Sequence, residues 1–179
     1  MASIRGYIAM SLDGYIAAAD GSLDWLTRYD GLELGAFGYD RFVDGVRTVV
    51  MGRGTYDAIA GFDVGWPYGD RWAIVVTSSP IDEPVGPVQI WRDGVDGLVR
   101  HLRQLEDDDV WLVGGGRLQQ AFIERGALDD LSLFIMPELL GGGARLFPPN
   151  GFGRSVKLIE SATVAPGCVC LKYDFRSEG

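Results

Sequence analysis

The chain has 179 residues, 47% of them hydrophobic, and a formal net charge of −9 at pH 7. That length suits a single domain spanning 1–179 with its own core, and the acidic balance argues against a nucleic-acid surface, which needs cations to meet phosphate backbones. No run approaches the ~20 apolar residues of a membrane helix. The N-terminus, MASIRGYIAM, lacks a signal peptide's charged head, apolar run and cleavage site, so a cytoplasmic protein is expected.

In chain order, RGYIAMS (5–11) reads as a strand, followed by a Gly- and Asp-rich loop to about Trp25. A helix is expected around 34–45, where Phe37, Phe42 and Val46 share a face. TVVMG (48–52) is a short apolar run ending in glycine, and TYDAIAGF (55–62) reads as a helix capped by Thr55. RWAIVVTSS (71–79) is a buried strand and VQIW (88–91) a short one. The next helix lies near 95–106, with Val95, Leu98, Val99, Leu102 and Leu105 at helical spacing. VWLVG (110–114) is a strand, and RLQQAFIERG a helix closed by Gly126. LSLFIMPEL (131–139) is another strand. The tail VKLIESATVAPGCVCLKYDF makes two runs about the Pro166–Gly167 turn, an antiparallel hairpin.

Strand and helix alternate to about residue 130 and strands alone follow. The expected fold is therefore α/β, with a mostly parallel central sheet, flanking helices and a C-terminal antiparallel hairpin. Cys168 and Cys170 are expected on opposite faces of their strand and unbridged, which fits a reducing interior.

In parallel sheets ligands gather beyond the carboxyl ends of the strands. Three such ends carry polar or glycine signals: MGRGT (51–55), VTSS (76–79) and VGGGR (113–117). Gly114–Gly116 let a ligand approach the backbone, and the unpaired N–H groups and partial positive charge of the following helix suit a pyrophosphate. A tight turn is the alternative. Arg53 and Thr55 add a guanidinium and a hydroxyl at a second helix start, and Ser78 and Ser79 either cap a turn before Pro80 or join them. Three such ends suggest one extended, phosphate-rich ligand.

Other chemistries fall away. The one histidine, His101, is placed on the solvent side of its helix, so there is no Ser-His-Asp triad and no His-rich metal site. The run Glu106–Asp109 reads as a solvated cluster, since adjacent carboxylates splay apart. No metal is expected.

The motifs IAMSLDGYIA (8–17), DGSLDW (20–25), VMGRGTYD (50–57), VVTSS (75–79), VGGGRLQQAFIERGALDDLSLFIMPELLGGGARLF (113–147) and the closing hairpin, in that order, resemble the dihydrofolate reductase-like fold. The likeness is to its bacterial branch that shares the reductase domain of riboflavin biosynthesis. The resemblance implies a three-layer fold, NADPH as cofactor, and hydride transfer to a small planar molecule of pteridine, pyrimidine or flavin type. By that resemblance Ala9 and the loop Asp13, Gly14 and Tyr15 line the nicotinamide end. Gly52, Arg53 and Thr55 contact phosphates, with Arg53, Thr77, Ser78 and Ser79 beside the adenosine 2′-phosphate and Arg92 a further candidate there. Val113, Gly114, Gly115, Gly116, Arg117 and Leu118 hold the pyrophosphate.

For the substrate, Tyr15 and Trp25 offer stacking faces, and Tyr56 and Phe42 either face the pocket or pack in the core. Trp25 is either pocket wall or core plug. The catalytic candidates are Asp13, either a turn residue or a site residue, and Asp30, either the carboxylate that protonates a pterin or a surface group. The riboflavin-pathway reductases follow SLDG with Lys or Arg where this chain has Tyr15, and carry GSS where it has GSLDW. Both departures point to a less charged substrate. The second triple glycine, 141–143, either approaches the substrate or is a flexible crossing. Two alternatives stand beside this: a true dihydrofolate reductase, and a nucleotide-binding or sensing domain without turnover. A homodimer is expected, or a monomer whose sheet edge is shielded by Lys172 and Asp174.

Overall fold

The computed structural model describes residues 1–32, 34–63, 65–105, 109–165 and 167–176. In chain order come strands β1 (Ile4–Ser11) and β2 (Tyr15–Ala17), helices α1 (Asp24–Thr27) and α2 (Tyr39–Val43), then β3 (Val46–Gly52) and α3 (Arg53–Ala60). Next are β4 (Trp72–Val76), β5 (Val88–Trp91), α4 (Gly94–Arg103), β6 (Asp109–Gly114) and α5 (Gly116–Glu124). The chain ends with β7 (Asp130–Met136), β8 (Ala144–Arg145), β9 (Lys157–Ala165) and β10 (Cys168–Asp174).

Eight strands form one sheet in the order β5-β4-β3-β6-β1-β7-β10-β9, while β2 and β8 pair separately. The strands from β5 to β7 all run parallel. β10 is antiparallel to both β7 and β9. This is the mostly parallel sheet with a terminal antiparallel hairpin that the alternation of elements predicts.

Alternation along each strand divides the core into two layers. One face presents Ile4, Val50, Ile74, Val110, Leu112, Leu131 and Leu133, which pack under α4 and α5 through Leu98, Leu102, Leu118 and Phe122. The other presents Tyr7, Val49, Met51, Trp111, Phe134 and Met136 beneath α1, α2 and α3. The first layer is tied down by an ionic clasp. Buried Asp129 accepts from the Ile4 amide at 2.7 Å and from the two terminal guanidinium nitrogens of Arg103. Arg103 also donates to the carbonyls of Ala2 and Ala127, so the end of α4 and the start of β1 are held together.

Several local expectations are corrected. The helix expected at 34–45 is broken: Gly38, with extended ψ of 147°, separates a 3-10 turn at Gly35–Phe37 from the short α2. α3 begins at Arg53 with Gly52 as its N-cap, so Thr55 lies inside the first turn rather than capping it. Cys168 and Cys170 share one face of β10 and one cluster with Trp25, because residues two apart in a strand point the same way. Both are free thiols. His101 is half-buried, stacked on Trp91 with ring centroids 5.2 Å apart and edge-on to Trp72. Asp109 opens β6 and pairs with Arg5 at 2.8 Å, whereas Glu106–Asp108 and Pro166 lie outside the described residues. β10 is an interior strand, so Lys172 and Asp174 shield no edge; β9 is the edge. Among the described residues no helix is long and apolar enough to cross a membrane.

Candidate functional site

β3 hands over to α3, which leads outward to β4 on one face of the sheet. Its neighbour β6 hands over to α5, which leads to β7 on the other face. Connections that diverge from adjacent parallel strands leave a crevice at the carboxyl edge, the usual ligand position in such sheets. A cleft of about 1390 Å³ opens there. Its walls include Ala9, Tyr15, Asp30, Gly52, Arg53, Thr55, Val113, Gly114, Gly115, Gly116, Arg117 and Leu118. The three strand ends read from the sequence are thus two neighbouring helix starts and a rim.

The two helix starts almost touch. A Cβ placed on Gly52 would lie 3.8 Å from the Gly115 amide nitrogen. Neither α3 nor α5 has a side-chain cap, so the first-turn N–H groups of both remain open to a guest. The glycines serve different ends. Gly114 has φ of 140°, which side chains rarely adopt, and its peptide bond to Gly115 is cis. Gly115 is bordered only by the Thr55 hydroxyl, 3.3 Å from where a Cβ would be. Gly116 is needed for packing, since a Cβ there would run into the carbonyl oxygens of Arg145 and Leu146. β8 crosses that point and pairs with β2, so the Tyr15–Ala17 and Ala144–Arg145 segments together close one end of the cleft.

Charge is divided along the cleft. Arg53 and Arg117 stand in the first turns of the two helices. Arg53 is braced by Asp57 at 2.7 Å and by the Pro80 carbonyl at 2.8 Å. Arg145 lies over the Tyr15 ring, 4.9 Å from its centroid, and donates to the Tyr15 hydroxyl. The opposite half is apolar and aromatic. Tyr7, Tyr39, Tyr68, Trp111 and Phe134 all face the cleft, linked ring to ring at centroid separations of 4.7–6.3 Å. Tyr29 joins the rim, donating to Glu138 at 2.6 Å.

Other sequence candidates are placed elsewhere. Asp13 is outside the cleft wall; its carboxylate accepts from the Ser11 hydroxyl and from the amides of Leu140 and Gly141. The Ser11 hydrogen bond above all, with those two amides, holds its pKa below the usual aspartate range. Gly14 completes that turn, donating to the Ser11 carbonyl. Asp13 therefore clamps the 139–143 loop, and Gly143 from the second triple glycine does reach the cleft. Trp25 is buried against Phe134, Met136, Cys168 and Cys170 as a core plug behind the wall. Tyr56 turns into the core, its hydroxyl accepting from the Val85 amide at 2.7 Å. Thr77, Ser78 and Ser79 stand outside the wall beside Arg53, with the Thr77 hydroxyl accepting from the Ser79 amide. Asp30 is exposed at the cleft mouth, not at its floor. Arg92 is exposed at the end of β5, away from the wall.

The aromatic wall escaped sequence reading. Tyr7 and Trp111 occupy strand positions where an apolar residue signals only core. Tyr68 lies in an irregular Gly- and Pro-rich stretch with no period to read.

Could these residues hold a dinucleotide? Two open helix N-termini, side-chain-free backbone between them and an arginine at each are the donor set a pyrophosphate with a further phosphate requires. An apolar end beside it suits a flat ring.

This architecture is that of the dihydrofolate reductase-like enzymes. A putative riboflavin biosynthesis protein from Shewanella sp. PV-4 superposes with TM-score 0.84 at 28% identity, covering 96% of this chain and 98% of that one. Dihydrofolate reductase from Enterococcus faecalis, in complex with NADP(H), shares the fold at TM-score 0.64 and 17% identity, covering 96% and 95%. The matching family model is the RibD C-terminal domain, over residues 2–170, and the chain belongs to that reductase-type family. The uncharacterised protein YwjB of Bacillus subtilis is 36% identical over 141 residues, 79% of this chain and 80% of YwjB.

Proposed function

We propose that the protein is an NADPH-dependent reductase acting on a small planar molecule bound in the cleft. The observation that carries this reading is the meeting of the uncapped N-termini of α3 and α5, each with an arginine, at one end of an otherwise apolar crevice. Bound NADPH supplies the hydride. The amides of Gly115–Arg117 and Arg53–Thr55 hold its diphosphate, and Arg53, flanked by Thr77, Ser78 and Ser79, meets the 2′-phosphate that NADH lacks. Ala9, Ile16 and Ala17 offer the low-profile wall against which a nicotinamide lies. The aromatic half holds the acceptor and excludes water from it. The proton that accompanies the hydride enters from the mouth, where Asp30 is the lining carboxylate among the described residues.

The dihydrofolate alternative calls for a carboxylate at the pocket floor, and here the floor is aromatic. The sensing alternative predicts binding without turnover. Both are addressed by one experiment. Titration with NADPH and NADH is followed by tryptophan emission and melting temperature, then consumption is measured with pteridine, pyrimidine and flavin acceptors. The expected result is a preference for NADPH of about ten-fold or more, lost in Arg53→Ala. Absence of any response to NADPH overturns the reading, and binding without consumption of any acceptor favours the sensor.

A further inference from the structure

The acceptor end of the cleft is a box of rings. Tyr7 of β1 stands edge-on to Trp111 of β6, with the ring planes at 87°, and tilts against Phe134 of β7 at 4.7 Å. Tyr39 of α2 and Tyr68 each meet Trp111 edge to face, at 5.7 and 5.6 Å. Such T-shaped pairs hold one another upright, so the box presents a preformed apolar surface.

Its polar groups are unevenly spent. The Tyr7 hydroxyl donates to the Phe37 carbonyl and the Trp111 indole N–H to the Tyr7 carbonyl. The Tyr39 and Tyr68 hydroxyls make no hydrogen bond to any described residue, although both residues line the cleft. Burial pushes the pKa of both phenols up, so at neutral pH each is a neutral donor. Charge is distributed against an anion at this end. Among the described residues, the cations on the cleft wall are Arg53 and Arg117 at the helix starts and Arg145 over Tyr15. Arg71 stands behind Tyr39 and Tyr68 with its guanidinium committed to the carbonyls of Val43, Val46 and Tyr68, and Asp30 is at the mouth. A phosphate brought in here would lose its hydration without a partner.

We propose that the hydride acceptor is an unphosphorylated, neutral fused-ring molecule with a ring carbonyl or imine, seated in the box of Tyr7, Tyr39, Tyr68, Trp111 and Phe134 and read by the Tyr39 and Tyr68 hydroxyls. This rests on the reductase reading above and narrows its substrate to a class that excludes sugar phosphates. The acceptor gains a hydride and one proton, two electrons in all, while the nicotinamide is oxidised. The hydride adds to a ring atom, the electron pair it displaces moves to the conjugated oxygen or nitrogen, and that atom takes the proton under a phenol donor.

Riboflavin and its 5′-phosphate are matched probes, sharing one ring system and differing by a phosphate. Each is titrated into the full chain saturated with NADP+, whose own binding is measured first by melting temperature. Riboflavin is expected to bind at least about ten-fold more tightly than its phosphate. Tyr39→Phe and Tyr68→Phe are each expected to weaken riboflavin about five-fold while leaving NADP+ affinity as it was. Phosphate binding as tight as riboflavin overturns the proposal, as does riboflavin binding indifferent to both substitutions, or none at all in NADP+-loaded protein. Failure to bind NADP+ strikes instead at the reductase reading itself.

Discussion

A methyl group added at Gly115 would meet only the Thr55 hydroxyl, whereas at Gly116 it would strike two main-chain carbonyls that cannot swing aside. Gly116→Ala is therefore expected to cost about 3 kcal/mol of stability, read as a lower urea midpoint. Gly115→Ala should keep its midpoint within about 1 kcal/mol yet lose most NADPH affinity, because the methyl enters the space between the helix starts. Asp13 offers a pH readout. Its folded pKa is depressed, so its clamp on the Leu140 and Gly141 amides is fully present above the ordinary aspartate value and fades as pH falls through the folded one. Exchange protection of those two amides should be level from neutrality down to about pH 4 and decline below it, and Asp13→Ala should remove it at every pH. At this scale the sequence was only partly legible. The Gly-rich strand ends announce exposed backbone, but nothing local tells a glycine cleared for a ligand from one cleared for Arg145, which lies far along the chain. Asp13 and Trp25 each carried two readings, and packing from the 139–143 loop and from β10 selected the bland one.

Secondary structure was legible wherever burial has a regular period. Helices α4 and α5 show it, the interior strands read as apolar runs, and β9, exposed along most of its length, was read only from the turn at 166–167 that follows it. The 34–45 segment misleads because Phe37 and Phe42 are indeed inward, but towards two different clusters, with Gly38 turning the chain between them. The β2–β8 pair left no trace because its strands are three and two residues long. Two measurements probe the elements. Asp129→Ala strips the clasp joining α4, β1 and the approach to β7, leaving Arg103 partly buried without its carboxylate, and should cost about 3 kcal/mol in urea unfolding. Burial pushes the Cys170 thiol up to about 12 and raises Cys168 in the same direction. Neither should react with a disulfide reagent at pH 8 in the folded protein, and both should react once it is unfolded.

On the scale of the whole molecule, the parallel sheet and its carboxyl-edge cleft follow from the order of elements, while the long-range aromatic box does not, since its rings come from five separate segments. β9 is a nine-residue edge strand with Leu158 and Ile159 each about half exposed, 48% and 51%. Long apolar edges invite a partner, and the expected partner is a second copy of the chain. Sedimentation velocity should show a dimer that Ile159→Lys dissociates, and a monomer at every concentration rules this out.

α3 and α5 lie on opposite sides of the sheet and nearly meet at its rim. A molecule held by both would act as a rivet through the laminate, fastening two layers that otherwise share only the strands between them. Occupancy at one small crevice should then damp opening motions across the entire breadth of the protein, slowing hydrogen exchange along α4 and α2, each of which places only one residue, Val95 and Tyr39, on the cleft wall.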